Sequence, residues 1–223
     1  MLVTETMKLY RYKIAGGNST SLVEDCDPSE QQAISLKELE SVEQVGFIDA
    51  NSKIPQLTMM GNELCVNATL AFAKKIGDKR GLIKTSGVES AVIYSNIGEM
   101  TSATFALNPQ VIRDRNIVLF DGIGYVCSDN PVVPTQTYLA DLAEEFKLPA
   151  FGIARYQGDS LQPYVYVKQT DSVIPETACG SGSIALSLIT GARNITQVTG
   201  QRITVLRNGN QFTVTAKVAK MKR

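Results

Sequence analysis

Pro175-Glu176-Thr177-Ala178-Cys179-Gly180-Ser181-Gly182-Ser183 runs straight into Ile184-Ala185-Leu186-Ser187-Leu188-Ile189. The first part reads as a glycine-rich turn and the second as a helix, with Ile184, Ala185, Leu188 and Ile189 on one apolar stripe. Cys179 falls at or just before the first turn, where free backbone N–H groups and the helix dipole favour negative charge. A thiol in that place is expected to have a lowered pKa and to react as a thiolate. The glycines let backbone approach a ligand closely.

The same device occurs earlier in Gly61-Asn62-Glu63-Leu64-Cys65-Val66-Asn67-Ala68-Thr69-Leu70-Ala71-Phe72. With the cysteines in register, Thr69-Leu70-Ala71-Phe72 falls on Ser183-Ile184-Ala185-Leu186 and Asn67 falls on Ser181. Each cysteine has a glutamate two or three residues before it. The two motifs stand half a chain apart, as a duplicated α/β unit with one cysteine per half would place them. Either motif alone would equally suit a small, inert core cysteine. The matching pair argues against that.

The 223 residues are 43% hydrophobic and 20% charged, which suits one large domain or two of about 110 residues. The 22 basic residues balance the 22 acidic ones, so no net positive field points to nucleic acid. The basic end, Lys217…Lys220…Lys222-Arg223, reads as a solvated tail. No apolar run approaches the roughly 20 residues of a membrane span, and the N-terminus lacks a signal peptide's basic and apolar regions. A cytoplasmic protein that engages no membrane is expected.

The four cysteines, Cys26, Cys65, Cys127 and Cys179, show no CxxC spacing, and the chain has no histidine. Ser-His-Asp and Cys-His pairs are thereby excluded, and a Cys/His zinc site has no ligand set. A disulfide framework does not suit a large cytoplasmic chain. Neither GxGxxG nor Walker A occurs, so nucleotide binding has no support. No metal and no cofactor are expected.

In order, Leu9 to Ile14 reads as a strand that breaks at Gly16-Gly17-Asn18, and Ser21 to Val23 continues extended. Asp27-Pro28 reads as a cap for a helix to about Glu40. Val42 to Asp49 is a strand carrying Glu43 and Gln44. Leu57 to Met60 leads into the first cysteine helix, which runs to about Ile76. Gly81 to Leu107 is β-rich, with a turn near Asn96-Ile97-Gly98. Asn108-Pro109 marks a boundary between halves 1–108 and 109–223, with the extreme C-terminal strand free to pack back on the first half. Ile117 to Phe120 and Gly124 to Cys127 are strands, and Thr137 to Phe146 is an amphipathic helix. Ala150 to Tyr156 and Pro163 to Lys168 are strands. Ile203 to Val205 and Phe212 to Ala216 flank Asn208-Gly209 as a hairpin.

Two thiols on opposed helix starts can face one carbon from opposite sides. One takes a proton as thiolate and the other returns one as thiol, which inverts a stereocentre without a cofactor. Backbone N–H groups after each cysteine would hold a carboxylate and the charge that builds on it.

At this point the sequence resembles the PLP-independent amino-acid racemases and epimerases of the diaminopimelate epimerase fold. Within them it is most similar to the histidine racemases of staphylopine-type metallophore pathways. The matching stretches are Gly17-Asn18, Glu43-Gln44-Val45-Gly46-Phe47-Ile48, Met60 to Thr69, Leu161-Gln162-Pro163 and Cys179-Gly180-Ser181-Gly182. The resemblance implies an α/β (α+β) chain of two pseudo-symmetric halves, each a curled mixed β-sheet around a central helix, with a cleft between them. It implies Cys65 and Cys179 as the two acid/bases, a small amino-acid substrate and a homodimer. Asn18, Gln44 and Asn67 match positions that contact substrate, Gly180 and Ser181 match the donors to the α-carboxylate, and Glu43 and Glu176 match acidic positions near the site.

Two departures bear on substrate. Val66 stands where the family usually has glycine, which alters the cradle beside Cys65. Gln169 to Glu176 lacks the Glu-Arg-Gly that diaminopimelate epimerases use on the distal group, so a second carboxylate has no bidentate partner. Asp171 would repel that carboxylate but could accept from an imidazole. The expected activity is therefore amino-acid racemisation, with histidine first. The alternatives are a diaminopimelate epimerase-type enzyme and a non-catalytic amino-acid-binding protein. A phenazine-pathway isomerase on the same fold fits less well, because those sites lack the cysteine pair.

Overall fold

The computed structural model describes residues 7–222. The first half contains β1 (Lys8–Ile14), β2 (Ser19–Glu24), α1 (Gln31–Glu38), β3 (Gln44–Asp49), β4 (Gln56–Met59), α2 (Val66–Ile76), β5 (Arg80–Thr85), β6 (Val92–Ile97) and β7 (Met100–Ala106). The second contains β8 (Gln110–Ile112), β9 (Ile117–Phe120), β10 (Ile123–Ser128), α3 (Gln136–Glu145), β11 (Ala150–Gln157), β12 (Ser160–Val167), β13 (Ser172–Pro175), α4 (Gly180–Thr190), β14 (Asn194–Thr196), β15 (Arg202–Asn208) and β16 (Gln211–Lys220).

The two halves repeat one pattern of pairing. β1 and β2 pair antiparallel, β2 runs parallel to β3 after the α1 crossover, and β3 pairs antiparallel with β4. β9 and β10, then β11 after the α3 crossover, then β12 do the same. Each cysteine helix follows, and the next strand joins in parallel: β4 with β5 and β12 with β14. Antiparallel pairs complete each unit, β5-β6-β7 and β14-β15-β16. The fold is thus a duplicated α+β unit on one continuous, curled sheet.

β16 joins the halves. It pairs with β7 along one edge and with β1 along the other, closing β1 to β7 into a ring around α2. A helix inside a closed sheet must be apolar all round. Val66 to Ala73 of α2 are accordingly all buried, and Leu70 and Phe72 are fully so. In α4, Gly180 to Leu186 are buried in the same way. Both helices end at a glycine with positive φ, Gly77 and Gly191, which takes the left-handed cap that a side chain would strain.

Several boundaries differ from expectation. The first helix opens as a short 3-10 turn, Pro28–Glu30, capped by Asp27, and its α-helical part stops at Glu38. β6 runs through Ile97 and the turn falls on Gly98-Glu99. Strands β8, β13 and β14, of three or four residues, were not anticipated. Among the described residues, no helix is long and apolar enough to cross a membrane.

Candidate active site

Cys65 and Cys179 are the N-cap residues of α2 and α4, both with extended backbone. Each thiol accepts from the helix N–H three residues on, Ala68 at 3.4 Å and Gly182 at 3.3 Å. Each cysteine carbonyl accepts from the hydroxyl four residues on, Thr69 at 2.7 Å and Ser183 at 2.6 Å. The two motifs therefore fold alike down to their capping bonds, a local consequence of Cys-x-x-x-Thr/Ser at a helix start.

The two helix starts abut. A Cβ on Gly180 would lie 2.4 Å from Val66 Cγ1, so the backbone at Gly180 packs directly against that side chain. Asn67 spans the junction: its Nδ2 donates to the Ala178 carbonyl at 2.9 Å and its Oδ1 accepts from the Gly180 N–H at 3.0 Å. That Gly180 donor is therefore engaged by Asn67. The valine in place of glycine fills the junction from the first helix.

One carboxyl links the thiols. The Cys65 thiol donates to Gln44 Oε1 at 3.2 Å, and Gln44 Nε2 donates to Glu176 Oε1. Asn18 Nδ2 lies 3.4 Å from both Glu176 Oε1 and Glu43 Oε2. Glu43 in turn accepts from the Thr177 N–H at 2.8 Å and its hydroxyl at 2.7 Å. On the far side, Tyr125 Oη lies 3.3 Å from the Cys179 thiol and 2.8 Å from Ser181 Oγ. Gln197 Oε1 accepts from the Cys179 N–H at 2.9 Å, and Gln197 Nε2 donates to Ser183 Oγ at 3.1 Å.

Electrostatics correct the expectation of thiolates. Burial pushes the Cys65 thiol well above its ordinary value, and the Ala68 N–H only partly offsets this. Burial does the same to Cys179, with the charge of Glu176 adding to it while Tyr125 and the Gly182 N–H pull the other way. Loss of solvation outweighs the helix N-terminus here. Burial thus favours the neutral thiol at both cysteines. Burial also pushes the Glu176 carboxyl up to about 8, despite bonds from Gln44 and Asn18. Cys127, buried in β10, is pushed up to about 12 by burial alone and takes no part in this cluster.

A cavity of about 60 Å³ opens beside the cluster. Of the residues singled out from sequence, Glu43, Gln44, Cys65, Glu176 and Ser181 line it. Asn18, Val66, Asn67, Cys179 and Gly180 lie behind that wall, buried and within the same bonded cluster or junction. Met59, Met60, Leu64, Ile123, Val165, Val167 and Ile174 give it an apolar remainder, and none of its described lining residues is lysine or arginine. Asp171 is not there. It accepts from Tyr166 and Gln136 on the surface. Arg155 bonds to Gln162 and the Pro131 carbonyl outside this cavity. Among the described residues, no group of three or more Cys, Asp or Glu converges as for a metal ion.

Sequence reasoning missed Tyr125, Thr177, Gln197 and Glu63 as members of the site. Glu63 and Thr177 lay inside the quoted motifs. Tyr125 sits in an apolar strand and Gln197 in a turn, and only tertiary register brings them to Cys179.

No protein-family model matches the chain. It is 28% identical to a histidine racemase of Fusobacterium nucleatum, covering 76% of each chain. It is 26% identical to a histidine racemase of Staphylococcus aureus, over 77% of this chain and 76% of the relative. Among solved structures, a predicted epimerase from Pseudomonas aeruginosa superposes with a TM-score of 0.64 at 11% identity, over 97% of this chain and 98% of the other. A putative phenazine biosynthesis PhzC/PhzF protein from Clostridium difficile does so at 0.61 and 13%, with the same coverage. This chain is an isomerase of the racemase and epimerase class. In the isomerase, the duplicated halves described above are the PhzF/epimerase-like fold, and the two capped cysteines stand at its centre.

Proposed function

We propose that this isomerase is an amino-acid racemase that inverts the α-carbon by 1,1-proton transfer between two thiols, with histidine as its substrate. One observation carries the mechanism: two cysteines cap abutting helices, Cys65 bonded through Gln44 to Glu176, whose carboxyl acts in turn on Cys179. One cysteine, as thiolate, takes the α-proton from one face, and the C–H electron pair passes to the carbanion and its carboxylate. The other thiol gives its proton to the opposite face and is left as thiolate. No electrons are exchanged with a cofactor, and the cysteines end with their roles swapped.

Burial opposes the thiolate until substrate arrives, since both thiols sit high. An α-ammonium beside them favours negative charge. Glu176, pushed up to about 8, is the adjacent carboxyl that can take a thiol proton or return it near neutral pH.

The substrate reading draws on the named relatives and on the cavity. With no lysine or arginine along its described lining, a second carboxylate would be buried unpaired. That costs roughly 2–5 kcal/mol, or about one and a half to nearly four powers of ten in kcat/KM. Hydrogen–deuterium exchange at the α-carbon across an amino-acid panel tests the reaction. The expected result is exchange and loss of optical rotation with L-histidine, at a kcat/KM at least 100-fold above that for LL-diaminopimelate. Equal or faster turnover of diaminopimelate would overturn the substrate, and absence of exchange with every amino acid would overturn the reaction. The reading also carries a homodimer, supported by the outer sheet face across β6, β7, β16 and β15, whose centre carries no charged side chain.

A further inference from the structure

Three buried side-chain atoms have no hydrogen-bond partner among the described residues: Ser35 Oγ, Glu63 Oε2 and Glu176 Oε2. Two of them belong to carboxyls that line the same cavity. Buried polar atoms are nearly always satisfied, and each orphan calls for a partner. The cavity is thus short of donors at two separate points. A ligand that fits it brings N–H groups at both.

The two carboxyls are not equivalent. Glu176 is tied through Gln44 to Cys65 and carries its charge next to Cys179, so it stands at the reacting centre. The substrate's α-ammonium belongs there. Glu63 is hydrogen-bonded to neither thiol. It precedes α2 in the loop after β4, and its Oε2 folds back over Gly61, where a Cβ would stand 2.8 Å from it. Met59, Met60, Leu64 and Ile123 line the cavity with it. That combination, an unpartnered acceptor among apolar neighbours and away from the polar cluster around Glu176, suits a flat side chain with a single N–H edge.

We propose that Glu63 is the residue that reads the substrate's side chain, accepting a hydrogen bond from a ring or chain N–H such as that of an imidazole. This rests on the racemase reading for the placement of the α-carbon, but not for the binding preference itself. Burial pushes the Glu63 carboxyl above its ordinary value, the backbone N–H groups of Glu63 and Gly61 only partly offset this, and a further N–H donor in the cavity relieves it. The proposal also gives the otherwise unassigned glutamate of the first cysteine motif a role. The second motif has Thr177 at the matching place, bonded to Glu43.

Isothermal titration calorimetry of the intact protein with L-histidine and with L-norleucine, which has no side-chain donor, tests it. Wild type is expected to prefer histidine. Glu63→Leu is expected to lose that preference by roughly tenfold or more through the histidine affinity, with norleucine binding equal or better. Glu63→Gln keeps the shape and an acceptor, and is expected to fall between the two. If the leucine variant does not fold, the glutamine variant carries the test alone, with a preference narrowed by about threefold or more. An unchanged histidine-to-norleucine ratio in the folded variants, or no preference in wild type, would overturn the role of Glu63. α-Proton exchange on the same samples reads the racemase proposal separately: binding preference without exchange would sink the reaction and leave Glu63 standing.

Discussion

Cys65 sits within hydrogen-bond reach of one backbone N–H and the Gln44 side chain, Cys179 of one backbone N–H and the Tyr125 and Ser181 hydroxyls, and burial holds both as thiols. Cys65→Ser and Cys179→Ser are each expected to cost at least 1,000-fold in racemisation, because a serine hydroxyl does not ionise usefully even when activated. Far-UV circular dichroism should be unchanged, since a serine caps a helix as well as a thiol does. Full activity in either variant would end the two-thiol mechanism. Glu176 makes a stability prediction with a definite sign. Its folded value of about 8 lies above its ordinary 4.5, so the folded chain holds a proton that the unfolded chain has lost. Its contribution is therefore fully present below about pH 4.5 and is lost as pH rises to about 8, at up to roughly 1.4 kcal/mol per pH unit. Denaturant unfolding between pH 5 and 8 should show Glu176→Gln with a flatter profile than wild type. A parallel slope in the two proteins would show that Glu176 ionises normally. The cysteines were legible in the sequence because chemistry repeats with spacing. Their ionisation was not, since burial is a property of the closed sheet and not of the helix start.

At the level of elements, the two cysteine helices were readable because an apolar stripe, a cap and a glycine stop agree within a dozen residues. The short strands β8, β13 and β14 carry too few residues for a period, and pairing alone defines them. The contact that matters most for the site, Val66 against Gly180, joins residues from opposite halves and has no local signature. It makes a coupled prediction. Gly180→Ala places a methyl where Val66 Cγ1 already lies, and is expected to cost about 1–3 kcal/mol by overpacking. Val66→Ala opens space at the same spot and costs stability in its own right. Together the two changes should destabilise by clearly less than their sum, with a coupling of roughly 1 kcal/mol or more. Simple additivity in urea unfolding would mean that the helix starts do not press on each other. The same cycle read in kcat/KM reports whether the junction sets the spacing of the thiols.

Across the whole molecule, the duplication seen in two peptide motifs extends to strand pairing, with β1 to β7 repeated by β9 to β16 around β13. What no motif announced is that β16 serves both halves, because its second partner, β1, lies at the other end of the chain. That closure leaves one broad outer face across β6, β7, β16 and β15. Along it run two rows in register, Ile93–Thr104–Thr213–Leu206 and Ser95–Ser102–Thr215–Thr204. Ile93 and Leu206 are exposed, while the hydroxyls of Ser102 and Thr215, at 2.8 Å, and of Thr104 and Thr213, at 2.9 Å, satisfy each other. The centre of the face is therefore uncharged, and Arg80, Lys84, Arg202 and Lys217 stand at its edges. A patch with an uncharged centre and few free donors loses little on desolvation, which is what a self-complementary two-fold contact requires. Wild type is expected to behave as a dimer by light scattering at micromolar concentration. Thr104→Arg puts a charge at the centre of that face on both copies and should weaken association by about 100-fold or more. Its circular dichroism should match wild type, because Thr104 points outward and is only half-buried. A dimer untouched by the arginine would place the contact on another surface, and a wild-type monomer at every concentration would leave this face to solvent.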